Sequence, residues 1–438
     1  MTHLPSTWEN PFARKLTDRE IDTAIAVPGR PINDIASRSP VAAGNALELA
    51  MKEVFVPSTQ IYDCLRMLQA AAETSWTHRY PDEISFIRAI NATDSELALY
   101  ATPLAPICIT GLSGVGKSCI ASAFARLFPP ASRVVSNHGE WKITNHWRLT
   151  IKSTVGVGSL VSENFRRPQT PSRRIPFVSI QRELCQQGVS LLIADELQFL
   201  TQGTGNVAPA KLLGHLSRLG PAFAYVSNHI LLHKLLLRPQ EERQRLLSKP
   251  YFIYPEAFGS DDWYDFLRGI SLVAPELVHL ADHDLADDVH RYTFGMRRLA
   301  VSLIVLAYLL MRKRNVRIVE RIDLESAYMS YAFSSSRSDV QALLSALPKS
   351  EMRKDLWCPL EGADVPATRP SVMPHPAIAE FEQRQAEAAL RQQLTEAETK
   401  AVNDLTASPS SHKPQRAPRK PKPTASDLLA STEKVLSK

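Results

Sequence analysis

The stretch that most constrains the fold of this chain is a glycine-rich turn between an apolar run and a helical pattern, within residues 106–128. The apolar run is Ile107 to Ile109, and the helical pattern begins near Lys117. A strand, a glycine-rich turn and a helix in this order are typical of a phosphate-binding loop. The sequence therefore predicts a nucleotide site here, and the alternative is a glycine-rich turn that matches by chance.

Each residue type in the turn has a physical role. The glycines let consecutive backbone N–H groups converge on one anion, and the following helix directs the positive end of its dipole to the same point. Lys117 supplies a mobile charge for the β- and γ-phosphates, and the Ser118 hydroxyl is placed to bind Mg²⁺. We therefore expect ATP and Mg²⁺ as cofactors. The predicted nucleotide-binding residues of the turn are Gly111, Leu112, Ser113, Gly114, Val115, Gly116, Lys117, Ser118 and Cys119.

The composition is that of a globular protein. The chain has 438 residues, of which 44% are hydrophobic and 22% are charged, so we expect about two to three domains. The formal charge of +6 is compatible with nucleic acid as a partner but does not establish it. Five scattered cysteines without a metal-ligand spacing are typical of reduced thiols in a cytosolic protein. The most apolar stretch, 301–311, is shorter than the roughly 20 residues of a membrane helix, so we predict a cytoplasmic protein with no membrane partner.

The pattern of apolar residues predicts an α/β fold. Short apolar runs alternate with helical segments over residues 104–257, which favours a parallel sheet covered by helices and predicts the P-loop ATPase core. The apolar spacing over 258–347 is helical throughout and predicts a small all-α lid domain. The strands that we predict in the core cover residues 107–110, 146–152, 190–194 and 222–227.

The remaining segments are interpreted from their composition. Residues 1–50 are polar and rich in turn formers, so we predict a loosely ordered N-terminal arm, and residues 51–103 form a helical preface to the core. Residues 348–402 contain strong helix formers but few large apolar side chains, which predicts a helical or loose extension. Residues 403–438 carry seven Lys or Arg residues against three acids, with interleaved prolines, and are predicted to be a disordered basic tail.

Two adjacent acids, Asp195 and Glu196, follow a second apolar run. A carboxylate at the end of a buried strand is costly unless it meets a cation. We therefore assign Asp195 to the Mg²⁺ site, and Glu196 to the base that orients and deprotonates the attacking water. A helix cap is the alternative for one of the two acids.

Polar residues also follow later elements. Asn228 ends the next predicted strand, where it could sense the γ-phosphate or position water; an ordinary turn asparagine is the alternative. Arg243 and Arg245 are candidates to stabilise transition-state charge in a neighbouring subunit, although a solvated charged helix face explains either equally well. Arg297 or Arg298 could reach the nucleotide from the second domain. The sequence does not choose within either pair.

These elements, in this order, resemble those of the AAA+ ATPases. Residues 111–118 resemble the Walker A motif, Asp195-Glu196 the Walker B motif, Asn228 sensor 1 and residues 295–298 sensor 2, with Arg243 and Arg245 as arginine-finger candidates. Within that superfamily, residues 50–345 look most like the TnsC and TniB transposition regulators. The stretches VFVPSTQIYDCLRML and LLIADELQFL and the short all-α lid carry this narrower resemblance. The chain departs from the AAA+ pattern at two places. It has Ser227-Asn228 where many AAA+ proteins have Gly-Thr, and it lacks an Arg-Phe pair at the arginine-finger candidates.

The resemblance implies a cytoplasmic bacterial ATPase that assembles on double-stranded DNA with ATP, as a ring or helical filament of its own copies. It also implies regulation of transposition, with transposase subunits and a TniQ-like or TnsD-like target selector as partners. The alternatives are a DNA-dependent loader or initiator of replication type, and a nucleotide-gated DNA-binding scaffold with little hydrolysis. The predicted DNA contacts, for which a solubilising loop is the alternative, are Arg148, Lys152, Arg166, Arg167, Arg173 and Arg174.

Overall fold

The computed structural model describes residues 9–101, 104–136, 139–151, 176–197, 205, 207–276, 278, 283–345 and 353–360. All of them belong to one compact unit, residues 1–371. The predicted DNA contacts Lys152, Arg166, Arg167, Arg173 and Arg174 lie outside the described residues, as do the helix-forming segment 375–402 and the basic tail 403–438.

A parallel sheet and a separate hairpin contain the described strands. The strands are β1 (Ile107–Gly111), β2 (Ala131–Ser136), β3 (Gly139–Thr144), β4 (His146–Thr150), β5 (Leu191–Asp195), β6 (Ala222–Val226) and β7 (Lys249–Ile253). The parallel sheet has five strands in the order β4-β5-β6-β1-β7, and β2 pairs with β3 as an antiparallel hairpin. This confirms the predicted α/β class and the four predicted strands.

The strand order decides which strand ends meet. β1, β5 and β6 are buried along their whole length, as expected for apolar strands covered on both faces. β6 lies between β1 and β5, with Ile109 opposite Val226 and Ile193 opposite Ala224. Because all these strands are parallel, the residues that follow β1, β6 and β5 meet at one edge of the sheet.

The edge strand β7 and the β2–β3 hairpin were not among the predicted strands. β7 begins with Lys249 and Pro250 and is only partly buried, so it lacks the apolar run that identified the other strands. Proline is tolerated there because an edge strand leaves one row of backbone groups unpaired by the sheet. Its register with β1 runs from Ile107 opposite Lys249 to Gly111 opposite Ile253.

Helices cover the sheet and form the rest of the unit. Those before the hairpin are α1 (Asp18–Ile25), α2 (Pro40–Glu53), α3 (Thr59–Arg79), α4 (Glu83–Ile90) and α5 (Lys117–Leu127). Those from the hairpin to the end of the sheet are α6 (Phe177–Gln186), α7 (Val207–Leu216), α8 (His229–Leu236) and α9 (Gln240–Leu246). The later ones are α10 (Asp261–Ser271), α11 (His283–Thr293), α12 (Arg297–Lys313), α13 (Arg321–Met329) and α14 (Ser334–Leu344).

The described part of the N-terminal segment, residues 9–50, is folded, which corrects the prediction of a loosely ordered arm for these residues. α1 begins with a capping box between Thr17 and Glu20, and it buries Ile21 and Ile25 completely. The Arg126 guanidinium of α5 donates to the Ile25 carbonyl at 2.9 Å. The segment has few apolar residues, but those it has are spaced to face one side of a helix, and the tertiary contacts stabilise it.

The later helices pack back onto this N-terminal segment. α12 contacts α2 and α13, and Leu309 of α12 packs so closely on Gly44 that a β-carbon there would lie 2.9 Å from its Cδ2 atom. The described part of residues 258–347 contains helices and no strand, as predicted. The domain boundaries that we place at residues 104, 258 and 348 remain a prediction, since the described residues form one compact unit.

Part of the extension predicted over 348–402 is also packed. Residues 353–360 return to the sheet side of the unit, and Cys358 is 1% exposed in a cluster with Leu231 and Leu235 of α8. The ring of Trp357 lies edge-on to His233, with 4.5 Å between centroids. One apolar cysteine and one tryptophan are too short a pattern to reveal this contact in the sequence.

No single helix in the described part is long and apolar enough to cross a membrane, although α11 and α12 together, bent by 114°, reach that length and composition.

Candidate nucleotide site

The glycine-rich turn joins β1 to α5 with a backbone that requires glycine at two positions. A β-carbon at Gly111 would lie 2.2 Å from the Ile253 carbonyl of β7, so a side chain there would collide with the neighbouring strand. Gly116 is the N-cap of α5 and has a φ of 104°, which non-glycine residues rarely adopt. The turn therefore has the conformation and the helix N-terminus that bind phosphate.

Lys117 is folded back into the turn. Its ammonium group donates to the Gly111 and Leu112 carbonyls at 2.8 and 2.6 Å. Burial, together with the Arg298 charge, lowers the pKa of Lys117 to about 8, although the charges of Asp195 and Glu196 oppose the shift. A phosphate in the turn would supply the counter-charge that this half-buried ammonium lacks.

A hydroxyl and a buried carboxylate lie side by side next to Lys117. Ser118 donates to Asp195 Oδ1 at 3.3 Å, and Asp195 is 1% exposed at the end of β5. Hydroxyl and carboxylate oxygens are the hard ligands that Mg²⁺ prefers, alongside phosphate oxygens and water. These residues fit a magnesium site.

Glu196 lines the same cavity with an unusual backbone. Its φ is 62°, in the left-handed region, and its N–H donates to Asp195 Oδ1 at 2.8 Å. A non-glycine residue in this conformation costs roughly 1–3 kcal/mol, and such residues concentrate at functional sites. The structure brings Glu196 into the same cavity as the phosphate-binding turn, and its role as the base stays a prediction.

Asn228 combines both interpretations that the sequence allowed. It lines the cavity, and its side-chain oxygen caps α8 by accepting from the Leu231 N–H at 3.2 Å. The neighbouring His229 is buried, and burial together with the Lys117 charge lowers its pKa to about 4, so it is neutral near pH 7. A helix cap therefore fixes Asn228 between the ends of β1 and β5 without removing it from the site.

The structure separates the two adjacent arginines of α12. Arg297 is 13% exposed and pairs with Glu256, at 2.7 Å between Nη2 and Oε1, while its Nη1 donates to the Val56 carbonyl. Arg298 is exposed, and it reaches the phosphate-binding turn: its backbone N–H donates to the Gly114 carbonyl at 3.2 Å, and its guanidinium donates to Ser113 at 3.3 Å. Both line the cavity, but only Arg298 contacts the turn.

The cavity has a volume of about 450 Å³, and apolar side chains form part of its wall. The segment before α3 contributes several of them, and it is held by backbone hydrogen bonds in both directions between Val27 and Phe55, at 2.8 and 2.9 Å. The predicted nucleotide site did not include this wall, although Val54 and Phe55 belong to the lead-in VFVP. The apolar side chains of the wall are Met51, Val54, Phe55, Ile61, Phe266 and Val301.

The two finger candidates have different surroundings in α9. Arg245 is half-buried against α7, where a β-carbon at Gly214 would lie 2.7 Å from its Nη2 atom. Arg243 is exposed. Neither residue is part of the cavity wall formed by the described residues of its own subunit.

Arg148, predicted as a DNA contact, lies beside the buried carboxylate of Asp195. Its guanidinium donates to Asp195 Oδ2 at 2.8 Å and to the Ser122 hydroxyl at 2.9 Å. The Arg148 side chain is also 38% exposed, so its contact with DNA stays a prediction. The sequence could not reveal the contact with Asp195, because it depends on β4 lying next to β5.

No protein-family model and no curated protein matches the chain. Among solved structures, it is similar to the Aeropyrum pernix ORC1 protein in complex with DNA, with 18% identity, 61% of this chain and 68% of that chain covered, and a TM-score of 0.38. It is also similar to the Thermotoga maritima RuvB Holliday junction branch migration motor, with 11% identity, coverage of 60% and 74%, and a TM-score of 0.32. The chain is also similar to the Aeropyrum pernix ORC2 protein in its ADP form, with 12% identity, 57% of this chain and 71% of that chain covered, and a TM-score of 0.37. At these TM-scores, the fold assignment depends on the strand order and the site of this chain itself.

Proposed function

We propose that this chain is an AAA+ ATPase that binds ATP with Mg²⁺, hydrolyses it and works on DNA. One observation carries the proposal: a single cavity is lined by residues 113–118 of the turn, Glu196, Asn228 and Arg298, and Asp195 is hydrogen-bonded to Ser118 of that lining. These groups come from three strand ends and a later helix, so a chance glycine-rich turn does not account for them.

The residues of the site divide the work of phosphoryl transfer. The N–H groups of the turn bind the phosphates, and Lys117 leaves its two carbonyl partners to contact them. Bound Mg²⁺ would be held by Ser118 and Asp195 and would neutralise phosphate charge as the terminal bond breaks. Glu196 accepts the proton of the attacking water, and Asn228 helps to position that water.

The apolar wall fits a nucleotide base. Phe55, Val54 and Val301 are the kind of side chains that bury a purine ring, and they line the same cavity as the phosphate-binding turn. The cavity therefore combines phosphate ligands with an apolar surface, which suits ATP.

The assembly and its biological role follow from the resemblance to TnsC and TniB. We infer that Arg243, which is exposed and away from its own cavity, completes the site of a neighbouring subunit in a ring or filament on double-stranded DNA. In this role the protein links a TniQ-like or TnsD-like target selector to transposase subunits. The basic residues between 152 and 174 would contact DNA phosphates, and such contacts give sequence-tolerant, salt-dependent binding.

The decisive experiment separates nucleotide binding, hydrolysis and assembly. We expect the purified chain to bind a fluorescent ATP analogue, to hydrolyse ATP faster with duplex DNA, and to form DNA-bound assemblies visible by electron microscopy with a non-hydrolysable analogue. Lys117→Ala should weaken nucleotide binding and lose hydrolysis and assembly, whereas Arg243→Ala should keep nucleotide binding and lose hydrolysis. A protein that binds the analogue and DNA but never hydrolyses ATP would instead be a nucleotide-gated scaffold.

A further inference from the structure

Arg148 closes a hydrogen-bonded network around the magnesium ligands. It lies on β4, next to β5 in the sheet, with Arg148 opposite Ile193 in the register. One arm of its guanidinium donates to Asp195 at the end of β5, and the other donates to Ser122 of α5. It therefore joins the strand that carries one metal-site residue to the helix that carries the other.

The spacing along α5 completes the network. Ser118 and Ser122 are four residues apart, so they lie on the same face of the helix, one turn from each other. Ser118 donates to Asp195 Oδ1, while Arg148 donates to Asp195 Oδ2. The two contacts use different carboxylate oxygens, so the guanidinium does not block the oxygen that faces Ser118.

The carboxylate has little freedom in this arrangement. Asp195 is 1% exposed, and Oδ1 also accepts the Glu196 N–H at 2.8 Å. A buried carboxylate requires a counter-charge and hydrogen bonds on both oxygens. Arg148, which is 38% exposed, supplies the counter-charge from the solvent side of the sheet edge.

We propose that Arg148 is a positioning residue for Mg²⁺: it holds the Asp195 carboxylate and sets the distance between β5 and α5 at which Ser118 and Asp195 can share one cation. This inference rests on the proposed ATPase function. Residues that orient metal ligands in this way typically contribute about 10- to 100-fold to metal affinity. The hydrogen bonds of Arg148 go to Asp195 and Ser122 and not to the phosphate-binding turn, so we expect nucleotide binding without metal to change little when Arg148 is replaced.

The test measures nucleotide and magnesium affinity separately. The dissociation constant of a fluorescent ATP analogue is measured in EDTA, and the Mg²⁺ concentration that gives half of the metal-dependent fluorescence change is then measured at saturating analogue. We expect Arg148→Gln to raise that Mg²⁺ concentration by about 10- to 100-fold, with the affinity in EDTA within about twofold of wild type. Arg148→Lys keeps the charge, so the Mg²⁺ concentration that it requires should lie between those of the wild type and Arg148→Gln.

Two further variants complete the design. Ser122→Ala removes one arm of the network but leaves the ion pair, so it should give a smaller rise in the same direction. Arg133→Gln removes an arginine that pairs with Glu140 on the exposed hairpin, at 3.0 Å, and should behave as wild type. If Arg148→Gln does not fold, Ser122→Ala decides the question.

The outcomes are distinct. An unchanged Mg²⁺ requirement in folded Arg148→Gln, or in Ser122→Ala when the first variant is unfolded, overturns the proposal. An equal loss of affinity with and without metal also overturns it, because Arg148 would then support the whole site. A wild-type chain that binds no nucleotide either in EDTA or with Mg²⁺ refutes the proposed function instead.

Discussion

Replacing Arg297 by alanine should lower the free energy of unfolding, whereas replacing its neighbour Arg298 should leave it almost unchanged. Arg297 is 13% exposed and Glu256 is 6% exposed, and their contact is 2.7 Å. Arg297 also lies 5.0 Å from the ring centroid of Phe266, and it donates to the Val56 carbonyl. It thereby joins α12 to α10 and to the segment in front of α3.

The size of the stability loss in Arg297→Ala depends on Glu256, the buried partner that remains. Removing one member of a buried ion pair costs about 3–5 kcal/mol, because the other charge stays without compensation. Burial already raises the pKa of Glu256, and Arg297 opposes that rise. In Arg297→Ala we therefore expect an unfolding free energy lower by roughly 3 kcal/mol at pH 7, near the low end because Glu256 can take up a proton.

This mechanism has a pH signature. A carboxyl whose folded pKa is raised binds more protons in the folded state than in the unfolded state, so it lowers stability as pH rises above about 4.5. Without Arg297 the rise is larger. The stability deficit of Arg297→Ala should thus be greater at pH 8 than at pH 5.

Urea unfolding monitored by circular dichroism at the two pH values measures this deficit. Arg298→Ala is the matched control: it removes the adjacent, exposed arginine and should change stability by less than about 0.5 kcal/mol, while weakening nucleotide binding. Arg297→Met combined with Glu256→Gln should recover part of the loss, since no buried charge remains. Equal unfolding free energies for the two alanine variants would refute the reasoning.

Three other predictions concern the nucleotide site and the packed segment 353–360. The pKa of Lys117 without ligand is about 8, and bound phosphate raises it, so nucleotide affinity measured by fluorescence titration should fall as pH rises above 8. Lys117→Ala should lack this pH dependence. A flat profile for the wild type would contradict the assignment of Lys117 as a phosphate ligand. Glu196→Gln should reduce ATP turnover by about 100-fold or more while keeping nucleotide affinity, and turnover that survives unchanged would remove Glu196 as the base. Trp357→Ala should lower the melting temperature by a few degrees, at a cost of about 1–3 kcal/mol, because its ring packs on His233; an unchanged melting temperature would show that the segment does not stabilise the unit.

Local sequence was sufficient wherever a short run of residues carries the whole requirement. The turn at 111–118 needs glycines, Lys117 and Ser118 at fixed spacing, and these are visible without any tertiary contact. The acids Asp195 and Glu196 were also identifiable, because an apolar run precedes them and parallel strands end at a common edge. The sheet class followed from the alternation of apolar runs and helical segments.

The sequence by itself thus determined that a phosphate-binding turn and two acids would meet on a parallel sheet. Only the tertiary structure decided which residues surround them. Arg297 and Arg298 are adjacent and chemically identical, yet one is buried against Glu256 and the other lies over the turn, because the helix turns about 100° per residue. Arg148 and the apolar wall around Phe55 reach the site through contacts between segments distant in sequence. Such contacts depend on which elements become neighbours, and periodicity along the chain does not encode that.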